Sequence, residues 1–297
     1  MEPSDRAYVS ILSWPEGWGH TRRAEALVRA GALEPYDAGM MARRATPAIV
    51  QVCDALVRED ILGELHRLGV MAVAPARSEM EAYAGVETPA RVTRFAGSPP
   101  RGFSVHTRDG GAWTFRPEDV RLVVAGMVRA VGRVTRHPSG GNFNYAAGMA
   151  YGGIGGLGGV GAMAAAEAMD AETAGWGSNT TRNTRAVETI DLHLVVDGRI
   201  RVVRLAGGST RIGEHGTERT RPSLVELHRP MEDLKEWLAG GASDGPVFDE
   251  CFANFNTPAD VEAVAARAGQ SSSRLNPVAF DFYSVWVAML DRAVRGW

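Results

Sequence analysis

Two runs of alternating polarity, Val187 to Val196 and Arg199 to Leu205, flank the dipeptide Asp197-Gly198. Asp-Gly supplies the positive φ angles of a two-residue turn, so these runs predict a β-hairpin. In its first strand Ile190, Leu192, Leu194 and Val196 share one face, while Asp191, His193 and Val195 share the other. The chain must therefore build a sheet here. Phe103 to Thr107 and Ala112 to Arg116, around Asp109-Gly110-Gly111, predict a second hairpin. Val120 to Ala125 and Met127 to Thr135 read as two further strands. The latter matches Val187–Val196 in character and is expected to pair with it.

Between those two strands lies a nearly uncharged tract, Gly140 to Ala166, reading GGNFNYAAGMAYGGIGGLGGVGAMAAA. Tyr145 to Ala166 has the length of a membrane span, and Gly148, Gly152 and Gly156 would make a close-packing ridge. Few large apolar side chains support that reading, and glycine costs a helix roughly 1 kcal/mol per residue against alanine. Glu167, Asp170 and Glu172 follow at once. Gly153 to Gly158 also fits GxGxxG, yet no buried strand precedes it and no acid ends a strand about twenty residues on. The expected reading is a glycine-rich insertion over 138–185 within the second domain.

The N-terminal block is more regular. Tyr8 to Ser13 suits a strand, His20 to Ala30 an amphipathic helix stopped by Gly31, and Pro35 to Arg43 a short helix. Ala48 to Cys53 then predicts a strand, Arg58 to Leu68 a helix capped by Gly69, and Val70 to Ala74 a last strand. The order is β-α-α-β-α-β. With Pro47-Ala48-Ile49-Val50 before a helix and Leu-Gly-Val before the last strand, the block resembles the C-terminal domain of the ribosomal stalk protein. The Clp protease adaptor is similar in outline. The resemblance covers about seventy residues and implies a fold only. The lysine-rich contact surface of the stalk domain has no counterpart, because the sole lysine of the chain is Lys235.

The expected fold class is α+β, with an N-terminal domain over 1–78 and a linker and entry strand over 79–100. A β-rich domain over 101–297, of small-barrel or pleckstrin-homology-like architecture, is then capped by C-terminal helices over 230–297. Those helices are read at Met231–Leu238, Ala259–Ala268 and Val278–Val294. In the last, Phe282, Val285, Trp286, Met289, Leu290 and Ala293 share a face so broad that the helix must be largely buried.

Composition narrows the function classes. Of 297 residues 45% are apolar and 23% charged, the balance of a globular chain, and a net charge of −3 draws it toward neither nucleic acid nor anionic membrane. The two cysteines, Cys53 and Cys251, are far apart and fit no metal spacing, as expected of thiols in a reducing compartment. The N-terminus lacks the basic start of a signal peptide, so a cytoplasmic protein is expected. The seven histidines are scattered, with no HExxH or Cys/His cluster, and no GxSxG or Walker lysine occurs.

No catalytic residue, metal ligand or cofactor is therefore assigned. Trp14 and Trp18, around Gly17 and Gly19, are the best candidates for a contact surface. Asp191 and His193 form the one polar pair that an enzyme could use, with a solvated strand face as the simpler reading. The expected function is a non-enzymatic binding or adaptor protein with protein partners, without nucleic acid or membrane. The alternatives are an envelope-associated or self-assembling protein using the glycine tract, and an enzyme whose site gathers sequence-distant residues.

Overall fold

A computed structural model of the chain describes residues 5–83, 85–95, 102–136, 179–206, 211–214, 247–249 and 277–297, with a few positions between 258 and 264. The architecture is α+β. Two compact units divide the chain: Met1–Tyr83, Ala253–Glu262 and Val285–Trp297 in unit 1, Ala84–Phe252 and Ala263–Ser284 in unit 2.

Unit 1 follows the order read from the sequence: β1 (Arg6–Ser13), α1 (His20–Arg29), α2 (Pro35–Met41), β2 (Ala48–Asp54), α3 (Arg58–Arg67) and β3 (Met71–Val73). β1 is central and antiparallel to both neighbours, in the order β2-β1-β3. The period-2 pattern of β1 sends Ala7, Val9 and Ile11 into a core with Leu27 of α1, Ile61 and Leu65 of α3, and Ala72 of β3. Local signals set the helix ends. Pro35 opens α2 where its missing N–H costs nothing. Gly31, at φ +68°, lets the Ala32 N–H turn back to the Leu27 carbonyl at 3.0 Å.

The opposite face of β1 carries Tyr8 and Ser10, both buried. Trp286, from the last helix, donates its Nε1–H to Ser10 Oγ at 2.9 Å, and Ser10 Oγ donates to the Tyr8 carbonyl at 2.9 Å. That helix is α5 (Pro277–Arg295), which follows the short α4 (Arg77–Glu81) in the described helices. The sequence grouped all of α5 with the second domain, whereas residues from Val285 onward cluster with unit 1. Trp286 supplies the physical reason, as a large indole whose polar edge finds its partner on β1.

Unit 2 contains β4 (Val86–Glu87), β5 (Arg91–Phe95), β6 (Gly102–His106), β7 (Ala112–Phe115), β8 (Val120–Arg136), β9 (Asn179–Val196), β10 (Arg199–Ala206), β11 (Arg211–Glu214) and β12 (Val247–Asp249). One sheet runs β12-β8-β9-β10-β4 and the other β11-β5-β6-β7. Ile190, Leu192, Leu194, Val123 and Val203 of the first sheet pack with Val92, Phe103, Val105 and Phe115 of the second. A small-barrel or pleckstrin-homology-like closure is not among the pairings of the described residues.

Both hairpins are present. Asp197 at φ +51° and Gly198 at φ +72° join β9 to β10, with Val196 opposite Arg199. β8 and β9 pair antiparallel from Val120 to Arg136. Two strands were expected over 120–135, yet β8 is continuous through Gly126, which lies opposite Thr189. The stretch 79–100 is more than a linker and entry strand. It also holds the last residues of α4, among them Glu79, whose carboxylate caps the start of that helix by accepting from the Ala76 N–H at 2.8 Å, and β4, which pairs parallel with β10. The bulk of the glycine-rich insertion (137–178) and the helix expected at 231–238 lie outside the described residues, as does most of the helix expected at 259–268. Among the described residues no helix is long and apolar enough to cross a membrane.

Candidate functional site

The polar face of β9 does not meet solvent. Asp191 and His193 are both 0% exposed, so the solvated face expected of this pair is corrected to a buried one. The reason is tertiary, since the first part of α5 brings Asp281 and Ser284 to them. Counting back from the Asp197-Gly198 turn sets Arg204 of β10 directly opposite Asp191. Arg204 grips Asp191 with a two-pronged bond, Nε to Oδ1 and Nη2 to Oδ2, each 2.7 Å. Its Nη1 donates to Asp281 Oδ1. The guanidinium also lies over the Phe280 ring, 5.1 Å from the centroid.

The electrostatics follow from burial. Desolvation alone would lower the Arg204 pKa, but Asp191 and Asp281 more than offset it and the cation is held above its ordinary value. Asp281 moves up, because burial and the nearby Asp191 charge outweigh the pull of Arg204. One guanidinium between two carboxylates is a cross-link between a sheet and a helix.

His193, one residue pair further along β9, shares a 2.9 Å hydrogen bond between Nε2 and Ser284 Oγ. Strand geometry puts residues i and i+2 about 7 Å apart on a face. The Asp191 carboxylate is committed to Arg204 and not to His193. A hydroxyl and an imidazole in contact are the beginning of a nucleophile–base pair. Ser284 is 2% exposed, however, and Arg204 5%, so neither the hydroxyl nor the cation is open to a substrate. The cluster joins strand to helix.

Trp14 and Trp18 stand differently. Both are half-buried and pack against the unit 1 core. Their rings stack at 6.4 Å between centroids. Arg22 lies over Trp18 at 4.6 Å and Arg23 over Trp14 at 5.7 Å, and Arg23 Nε also donates to the Trp18 carbonyl at 3.0 Å. The arrangement grows out of the local sequence. The β1 strand ends at Trp14-Pro15, and Gly17, at φ +76°, turns the chain into α1. Two consecutive arginines in the first turn of that helix fold back over the rings. The Trp14 indole N–H is buried and has no hydrogen-bond partner among the described residues.

The structure thus keeps both sequence candidates as clusters and reverses the exposure of one. Sequence reading missed Arg204, Asp281 and Ser284 around Asp191 and His193, and Arg22 and Arg23 around the tryptophans. Two signals were available. The register fixed by the Asp-Gly turn pairs Asp191 with Arg204, and Asp281 stands between two phenylalanines in a helix read as buried. Among the described residues no group of three or more His, Cys, Asp and Glu is placed to hold a metal. No family model, curated protein or solved structure matches the chain.

Proposed function

We propose that the protein is a non-enzymatic binding or adaptor protein whose contact surface is the Trp14–Trp18 corner of unit 1. The observation that carries this reading is the aromatic–guanidinium layer itself. Two tryptophans are anchored by the core, and the side chains above them, Arg22 and Arg23, meet no carboxylate among the described residues. Tryptophan and arginine at a fixed surface position supply large contact area and directed hydrogen bonds at small entropic cost. The buried cluster around His193 supports the same choice, because Arg204 is bonded to Asp191 and Asp281, and Ser284 to His193.

The resemblance of the N-terminal block to the ribosomal stalk and Clp adaptor domains belongs to this proposal as architecture. The order β-α-α-β-α-β suits a contact module. The partner we propose is a protein, in a cytoplasmic setting, and neither a nucleic acid nor a membrane. A photoreactive phenylalanine analogue placed at the exposed Thr21 beside Arg22, compared with one at Arg77 on α4, tests the reading in cells that make the protein. A covalent adduct to another protein is expected from position 21 and not from 77. Equal adducts from both positions, or none from 21, would overturn it.

A further inference from the structure

We infer that the arginines over Trp14 and Trp18 receive the carboxylates of an acidic peptide segment, an inference that rests on the contact surface proposed above. The pairing of charges within unit 1 is uneven. Arg29 and Arg67 meet Glu64, Arg58 meets Glu59 and Glu79, Arg77 meets Glu81, and Arg295 meets Asp291. Arg22, Arg23 and Arg43 meet no carboxylate among the described residues.

Arg22 and Arg23 stand next to each other in the first turn of α1. His20 Nδ1 lies 3.2 Å from the Ala42 carbonyl, which ties that turn to the end of α2, where Arg43 follows in sequence. The first turn of α1 contains no acid, and its Gly19 cap offers no side-chain acceptor to the helix N–H groups. The positive end of the helix dipole therefore adds to the two guanidiniums.

The geometry selects a carboxylate over a nucleobase. Single-stranded nucleic acid bound through aromatic residues needs a free ring face. Here Arg22 already lies over the Trp18 ring and Arg23 over the Trp14 ring, and the two indoles stack on each other. A guanidinium lying flat on a ring still presents its N–H edge outward, the shape that accepts a carboxylate with two parallel hydrogen bonds. Among the described residues nothing bonds to the edge of Arg22, and Arg23, whose Nε serves the Trp18 carbonyl, has its two terminal nitrogens left over. Acidic side chains at alternate positions of a peptide would span such a row.

The test is fluorescence anisotropy with the full chain and three labelled probes: an alternating Glu-Gly decapeptide, its Lys-Gly analogue, and decauridylate. Saturable binding of the acidic peptide alone is expected, weakening as salt rises. Each of Arg22→Glu and Arg23→Glu should weaken it roughly tenfold, and Arg77→Glu should leave it unchanged. Melting curves confirm that each variant folds. Absence of saturable binding, equal loss in Arg77→Glu, or tighter binding of decauridylate that is lost in Arg22→Glu would each overturn the inference. An adduct at position 21 without acidic-peptide binding would refute this inference and leave the contact surface standing. Failure of both experiments would remove the contact surface as well.

Discussion

Replacing Arg204 by methionine isolates what the buried cross-link does. The substitution keeps much of the aliphatic stem and deletes both prongs to Asp191 and the bond to Asp281. Asp191 is 0% exposed, so its carboxylate is left in the interior with no counter-charge. Breaking a buried pair from one side costs about 3–5 kcal/mol, since the surviving charge must be desolvated alone. For a unit of this size that is a fall on the order of 10 °C in Tm. The informative partner is the triple variant Arg204→Met, Asp191→Leu, Asp281→Leu, which removes all three charges together. Apolar replacement of a whole buried ion cluster is often neutral or stabilising, so the triple variant should recover most of the loss. Thermal melting followed by circular dichroism reads both. A single substitution costing under about 1 kcal/mol, or a triple variant no better than the single one, would refute the charge argument.

Three further outcomes are expected. Burial holds the Asp281 carboxyl above its ordinary range, so the folded chain keeps that proton to higher pH than the unfolded chain does. The stability it contributes is full below the unfolded pKa and is lost as pH rises through the raised value; Asp281→Asn should flatten the stability curve across that window, and an unchanged slope would contradict this. Trp286→Phe removes the donor to Ser10 and part of a buried ring, and should cost about 1–3 kcal/mol in urea unfolding, with a change under about 0.5 counting against the assigned packing. Gly198→Ala forces a side chain into φ +72° and should destabilise by about 1 kcal/mol, whereas Gly63→Ala, in the open interior of α3, should stabilise by a similar amount; equal signs in melting would argue against the turn geometry.

What was legible in the sequence is what short-range chemistry decides. The Asp197-Gly198 turn fixes its hairpin because two adjacent residues must take positive φ, and no distant contact is needed. Gly31, Gly69 and Pro35 place the ends of α1, α3 and α2 for the same reason. The length of β8 was misjudged at Gly126, where pairing with β9 overrides the weak strand preference of glycine. The exposure of Asp191 and His193 was unreadable from β9 alone. Alternation tells which residues share a face, but α5, some ninety residues later, decides whether that face is wet. The proposed contact surface was half visible. Trp14 and Trp18 stood out around the glycines, while the role of Arg22 and Arg23 depends on how the turn folds back.

The contact surface proposed is the Trp14–Trp18 corner, while the His193–Ser284 pair links a strand to a helix. Partner recovery by the full chain from its own cells, compared between Arg22→Glu and Ser284→Ala at matched thermal stability, tests that division. Arg22→Glu is expected to lose the partner and Ser284→Ala to keep it. Retention by Arg22→Glu with loss in Ser284→Ala would contradict it and move the function to the buried cluster.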